Sequence, residues 1–333
     1  MGALLEIENL QVEFDTWDGR VRVLDGVSLS VNAGETLGIV GESGCGKSMT
    51  ALAIMGLVPR PAGHVTGGSV RFDGEDLLKA NEARLREVRG HRIAMIFQEP
   101  MTSLNPVFTV GDQVAEAARL HLGLTASQAR RRAIEMFKAV HIPEAERRVD
   151  EYPHQFSGGM RQRVMIAMAL VCEPRVLIAD EPTTALDVTV QAQIFDLLQE
   201  LRDTRGTAIM LITHDMGAIA EMADRVVVMY AGRKVEEGAV ERILGEPAHP
   251  YTRGLLACRP QLKLGPGPVR TALQEIPGVV PPLHLLGHGC AFAERCGQAL
   301  PRCRERFPGE SDAGPGHRAS CWLLEGTQER RAT

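Results

Sequence analysis

Gly41-Glu42-Ser43-Gly44-Cys45-Gly46-Lys47-Ser48 decides the fold. It follows the apolar run Thr36-Leu37-Gly38-Ile39-Val40 and leads into Met49-Thr50-Ala51-Leu52-Ala53-Ile54. An apolar strand, a glycine-rich turn and a helix in that order are the context in which this pattern becomes a phosphate-binding loop. The three glycines let successive N–H groups close on phosphate oxygens, and the helix N-terminus adds partial positive charge. Gly41, Glu42, Ser43, Gly44, Cys45, Gly46, Lys47, Ser48 and Met49 are therefore expected to line a nucleotide site. Lys47 reaches the β and γ phosphates and Ser48 ligates Mg²⁺. Cys45 sits where only a small residue is needed and reads as packing.

Upstream, residues 5–14 alternate apolar and polar, and a second strand-like run covers 21–31, which together predict an antiparallel layer beside the loop. Phe14 or Trp17 is a candidate for stacking on adenine, with core packing and a loop anchor as the alternatives. Downstream, residues 60–91 read as strand and turn, with a hairpin suggested across 67–74. A short buried strand over 92–97 delivers Gln98 at its carboxyl end, where a glutamine reaches a nucleotide's Mg²⁺ or the attacking water. Helical spacing runs over 110–171, broken at Pro143 and Pro153, and Arg130-Arg131-Arg132 reads as a solvated helix face.

Two further strand ends carry polar chemistry. Val176-Leu177-Ile178-Ala179 runs straight into Asp180 and Glu181, so Asp180 is expected in the metal shell and Glu181 as general base for water. Residues 208–213 form another buried strand that ends at His214, a candidate γ-phosphate contact. Ahead of these, Phe156-Ser157-Gly158-Gly159-Met160-Arg161-Gln162 opens a helix with exposed N–H groups, a second anion-binding surface at Ser157, Gly158 and Gly159. A helix over 189–202 separates the two strands, and Met165 and Met168 read as core.

The 333 residues suffice for one large domain and a smaller one, and a net charge of -5 supplies no global basic field for nucleic acid. No run approaches a membrane span and no signal peptide is evident, so the chain is expected in the cytoplasm. Residues 260–282 are rich in proline and glycine, a linker or extended wrap. Of seven cysteines, Cys290, Cys296, Cys303 and Cys321 crowd the C-terminal end. In a reducing compartment they read as metal ligands before disulfides, and chemistry alone leaves Zn²⁺ and an iron–sulfur cluster both open. His317 reads as a bystander to that group.

Taken together, the loop at 41–48, Gln98, Ser157-Gly158-Gly159, Asp180-Glu181, Leu186-Asp187 and His214 stand in the order of an ABC-type ATPase, which the chain resembles over residues 4–245. More narrowly, Ile96-Phe97-Gln98-Glu99-Pro100-Met101-Thr102-Ser103-Leu104-Asn105-Pro106, the stretch from Ala179 to Asp187, and His249-Pro250-Tyr251-Thr252 resemble the dipeptide/oligopeptide importer subfamily. That group includes ATPases of nickel and glutathione importers, and Met160 matches it where other families most often have glutamine. The resemblance implies an α/β P-loop NTPase of ABC type with an antiparallel β layer. An ATPase domain over 1–245 would hold an inserted helical subdomain at about 100–172, followed by a small Cys-rich C-terminal extension over 246–333.

It further implies two ATP molecules sandwiched in a head-to-tail pair, with Ser157, Gly158 and Gly159 acting in trans and Gln98, Glu181 and His214 hydrolysing ATP. The implied partners are a second ABC ATPase subunit, commonly a different chain, two membrane-spanning permease subunits and a periplasmic or extracellular solute-binding protein. The protein would then sit peripherally on the cytoplasmic face of the inner membrane. Some members carry a [4Fe-4S] cluster in a similar four-cysteine tail, which favours iron–sulfur over Zn²⁺ at Cys290, Cys296, Cys303 and Cys321. The expected function is ATP hydrolysis driving peptide import, with nickel, glutathione or another solute as alternative cargo. A soluble ABC ATPase is disfavoured because there is no second phosphate loop and no sustained heptad pattern.

Overall fold

The computed structural model describes residues 2–17, 19–98, 103–183, 186–258 and 275–325. Residues 99–102 and 184–185, parts of two motifs quoted above, and 260–274 of the proline- and glycine-rich stretch lie outside the described residues.

Twelve strands are described: β1 (Leu5–Thr16), β2 (Gly19–Val31), β3 (Thr36–Val40), β4 (Gly63–Phe72), β5 (Glu75–Asp76), β6 (Ile93–Ile96), β7 (Val176–Asp180), β8 (Ala208–Ile212), β9 (Arg225–Tyr230), β10 (Arg233–Ala239), β11 (Ser311–Gly314) and β12 (His317–Ala319). They form an antiparallel sheet in the order β2-β1-β4-β5 and a larger one in the order β11-β12-β10-β9-β3-β8-β7-β6. Within the larger sheet β9, β3, β8, β7 and β6 are parallel, and β10, β12 and β11 add an antiparallel margin.

The uninterrupted apolar runs explain the parallel core. Every residue of β3, β6, β7 and β8 is buried, as strands covered on both faces require. Alternate residues feed two cores. Leu37, Ile39, Ile178, Met210 and Ile212 pack with the helix Lys47–Ile54 and the antiparallel layer. Val40, Ile96, Leu177, Ala179 and Leu211 face the other way, toward the helical part.

The antiparallel layer is present as expected, with Leu5 opposite Val31 on one side and Phe72 on the other. The hairpin turn falls at Asp73-Gly74, both at positive φ (54° and 84°), so it closes at the end of the suggested span while Gly67 and Gly68 lie within β4. The same region holds a helix, Glu82–Val88, that the strand-and-turn reading of 60–91 missed. Its N-terminus is capped by the Asn81 side chain, which accepts from the Arg84 N–H at 2.9 Å. Only Val88 of the seven residues is buried, so no apolar stripe announces the helix.

The helices Val110–Leu122, Ala126–Ala139 and Gly158–Leu170 form the inserted layer, the first two started by Thr109 and by a Thr125/Gln128 capping box. Val110, Val114 and Ala118 make its buried stripe as their spacing predicts. Arg130 and Arg132 pair with Asp150 and Glu173 at the surface, in keeping with a solvated face. Among the described residues no helix is long and apolar enough to cross a membrane.

The C-terminal segment is tied into the large sheet around one buried carboxylate. Glu236 of β10 is 1% exposed and accepts from the Ala248 and His249 N–H groups (2.7 and 2.9 Å), from the Thr252 hydroxyl (2.5 Å) and from His317 Nε2 (2.7 Å). This accounts for the His249-Pro250-Tyr251-Thr252 motif, which starts the helix Pro250–Ala257, with His249 Nδ1 accepting from Tyr251 N–H. Burial holds the His249 imidazole at a pKa of about 3, so it stays neutral and able to accept. His317 is no bystander, since β12 delivers it to Glu236. Glu236→Ala, which orphans four donors, is expected to cost about 3 kcal/mol in urea unfolding, whereas Glu6→Ala on the exposed face of β1 costs under about 0.5.

Candidate nucleotide site

Parallel strands present the functional side chains along one edge, because each strand hands its next residue to the same carboxyl end of the sheet. β3 leads into the phosphate loop, β6 toward Gln98, β7 into Asp180 and Glu181, and β8 toward His214. Neighbouring strand order β3-β8-β7-β6 therefore sets these groups side by side.

The phosphate loop is wrapped as tightly as its glycines allow. A Cβ on Gly41 would stand 2.2 Å from the Met229 carbonyl oxygen and 2.7 Å from Cys45 Sγ, so only glycine fits. Lys47 is buried and donates from Nζ to the carbonyl oxygens of Gly41 (2.7 Å) and Glu42 (3.1 Å), folding over the loop it serves. Cys45 is wholly buried beside it, and burial raises its thiol pKa, so it stays protonated and packs. Met49 packs against the core beneath. Phe14 lies partly buried on the same core, near Gly63, while Trp17 is fully exposed.

Asp180 is buried, which raises its pKa, an effect that the Ser48 hydroxyl opposes by hydrogen-bonding to the carboxylate. Its Oδ1 is buried and carries no hydrogen bond. An orphaned carboxylate oxygen next to a serine hydroxyl is a fitting donor set for a hard cation such as Mg²⁺. Glu181 adopts φ 49° and its carboxylate is held from both sides. Gln98 Nε2 donates to Oε2 at 2.9 Å, and His214 Nδ1 lies 3.1 Å from Oε1. Gln98, 83 positions before Glu181, and His214, 33 positions after it, thus meet through one carboxylate.

The second anion-binding surface lies elsewhere. Ser157 caps the helix Gly158–Leu170, its hydroxyl accepting from Met160 N–H at 3.3 Å. Ser157, Gly159 and Met160 line a concavity of about 490 Å³ with His141, Leu186 and Asp187, and no phosphate-loop residue lines it. A Cβ on Gly159 would approach Leu186 Cδ2 to 3.2 Å, which keeps this helix start bare. Deeper in the helix Gln162 donates to the Pro182 carbonyl, linking it to the segment just after Glu181.

Sequence reasoning missed a third set of contacts. Tyr251 Oη accepts the Glu42 N–H at 2.8 Å, and Arg295 pairs with the Glu42 carboxylate at 2.7 and 3.0 Å. Tyr251 belonged to a quoted motif, yet nothing in the pattern pointed to the loop.

In the C-terminal segment Cys290, Cys296 and Cys321 have thiol pKa values raised first by burial and further by the neighbouring cysteines, Cys290 to about 11. Their sulfurs accept the N–H groups of Phe292, Gln298 and Leu323, and Cys303 Sγ accepts from Leu300 N–H at 3.4 Å. Among the described residues no three or more His, Cys, Asp or Glu side chains are gathered to hold a metal ion.

Comparison with known proteins agrees with this geometry. Residues 24–184 match the ABC transporter family model, and residues 235–303 match that of the oligopeptide/dipeptide transporter C-terminal region. The probable peptide ABC transporter ATP-binding protein y4tR of Sinorhizobium fredii is 53% identical over 319 residues, 96% of this chain and 94% of that protein. The dipeptide transport ATP-binding protein DppD of Bacillus subtilis is 47% identical over 332 residues, 100% of this chain and 97% of that one. Among solved structures, a dimeric ATP-binding cassette in a post-hydrolysis state with ADP and phosphate is 28% identical. It superposes with a TM-score of 0.65 over 71% of this chain and 98% of its own. The cbiO1 subunit of the Clostridium perfringens cbiONQ transporter is 30% identical, with a TM-score of 0.61 over 74% and 92%. A phosphate loop, a strand-end carboxylate pair and a glycine-opened helix on this fold, together with these matches, place the chain in the family of ABC transporter ATP-binding proteins, in the branch that carries the oligopeptide/dipeptide transporter C-terminal region.

Proposed function

We propose that this chain hydrolyses ATP to drive import of dipeptides or oligopeptides across the cytoplasmic membrane, lying peripherally on its cytoplasmic face. The observation that carries the hydrolytic part is the Glu181 carboxylate held between Gln98 and His214 on the same sheet edge as the phosphate loop. Near-full-length likeness to relatives named for peptide and dipeptide transport supports the cargo. Nickel and glutathione remain the alternative cargoes, separable by the uptake assay below.

The residues divide the work by chemistry. Lys47 gives up its carbonyl partners to the β and γ phosphates, and the N–H groups of 43–48 close around them. Ser48 and the bare Oδ1 of Asp180, with Gln98, would hold Mg²⁺, which would supply charge neutralisation for the phosphates. Glu181 takes the proton of the attacking water, and His214 orients toward the γ-phosphate. While Gln98 donates to Glu181, that carboxylate is partly spent as a base, and loss of this hydrogen bond would leave it free to take the water's proton.

Ser157, Gly158 and Gly159 serve the nucleotide of a second ATPase subunit, since their concavity shares no residue with the chain's own phosphate loop. The dimeric form of a related cassette supports that pairing. The partner is commonly a different chain in this branch, and a solute-binding protein delivers the cargo. A groove of about 960 Å³ in the helical layer, between Ser103, Asn105, Phe108, Glu116, Arg119 and Met168, with Phe108 exposed, suits a helix of the permease subunits.

For the four cysteines we favour a [4Fe-4S] cluster. The reading rests on the resemblance to members with a similar four-cysteine tail, and the sulfurs influence one another and accept backbone N–H groups, as cluster thiolates do. Protein purified without oxygen is expected to contain about four iron atoms per chain; stoichiometric zinc, or no metal at all, overturns the assignment.

Glu181→Gln is expected to lower ATP hydrolysis by the assembled transporter about 10²- to 10⁴-fold while ATP still binds. It should also abolish labelled-peptide uptake in cells carrying the full operon. Nickel uptake with peptides excluded would replace the cargo, and uptake that survives the substitution would assign hydrolysis to the partner subunit. Asp180→Asn removes a desolvated charge, so the nucleotide-free chain should melt no lower than wild type near pH 7, yet gain none of the Tm rise that Mg²⁺ and ATP give the wild type. The sign follows from the raised folded-state pKa, which makes the ionised carboxylate a net cost above it.

A further inference from the structure

The cysteine-bearing segment and the phosphate loop are joined by a single side chain. Arg295 sits in the short turn Ala293–Arg295, between Cys290 and Cys296, and its side chain is 5% exposed. Its two Nη atoms grip both oxygens of Glu42 at 2.7 and 3.0 Å, the fork-on-carboxylate geometry that a lysine lacks. The remaining N–H groups go to Tyr230 Oη (3.2 Å) and to the carbonyls of Pro277 (2.9 Å) and Ile276 (3.3 Å), so the guanidinium is fully satisfied in this one pose. Phe292, three residues earlier, wedges against Tyr230 and Tyr251 at 5.3 and 5.4 Å between ring centres. Tyr251 in turn takes the Glu42 N–H.

Glu42 is thereby fixed through its backbone by one C-terminal residue and through its carboxylate by another. The loop it belongs to has to accept a polyanion, and a bare carboxylate there would repel it. Holding Glu42 also fixes its carbonyl, on which Lys47 rests.

We propose that Arg295 is a positioning residue for ATP binding: it neutralises Glu42 and sets the first limb of the phosphate loop, so the order of the Cys290–Cys296 turn governs nucleotide affinity. This rests on nucleotide binding at residues 41–48 and is independent of the transported cargo.

The test is equilibrium binding of a non-hydrolysable ATP analogue with Mg²⁺ to the full chain and its variants, each checked for folding by circular dichroism. R295Q is expected to weaken binding about tenfold and R295K about threefold. The R295Q loss should shrink as salt screens Glu42. The double variant E42Q/R295Q, with both charges removed, should return to within about threefold of wild type. Wild-type affinity in R295Q, or a double variant as weak as R295Q, overturns the proposal and leaves Arg295 as packing. Should R295Q alone not fold, R295K decides: weaker binding supports positioning, unchanged binding refutes it. Wild-type chain that does not bind the analogue would instead remove the nucleotide reading itself.

Discussion

Burial of the parallel strands on both faces is the constraint from which the rest of this molecule follows. With β3, β6, β7 and β8 wholly enclosed, the only polar side chains along them are Thr36, which opens β3, and Asp180, which closes β7, and the strands emerge at the same edge. Asp180 is the one carboxylate that stays inside the strand, and it keeps an unpartnered oxygen there. A buried orphan of that kind costs folding energy until a partner satisfies it.

The nucleotide-free site is internally occupied. Lys47 rests on loop carbonyls, and the Glu181 carboxylate is shared by Gln98 and His214. Each contact is a single hydrogen bond to a charged group, worth about 1.5 to 3 kcal/mol net, a strength that several phosphate oxygens can match. The arrangement keeps the charged groups satisfied while idle. The Gln98–Glu181 hydrogen bond joins the carboxyl ends of the adjacent strands β6 and β7.

The C-terminal segment is part of the ATPase body by contact. Its β12 extends the large sheet, His317 completes the shell of Glu236, and Arg295 reaches the phosphate loop. Two carboxylate-centred clusters, one around the buried Glu236 and one around the partly buried Glu42, thus hold one segment at two places.

Local chemistry made much of this legible in advance. The phosphate loop, the strand ends at Gln98, Glu181 and His214, the antiparallel layer and the helical stripe all follow from periodicity and from residue types with few alternative uses. The helix Glu82–Val88 escaped because a helix that buries one residue leaves no periodic trace. Arg295 and His317 escaped for a different reason: an arginine or histidine acquires its role from the partner it meets, and Glu42 and Glu236 stand 253 and 81 positions away. The sequence by itself determined the fold class, the strand-end placement of Gln98, Glu181 and His214, and the family. Only the tertiary structure decided which residues hold the loop and where the C-terminal segment docks, because those pairings exist once the sheet has brought distant carboxylates and their donors together.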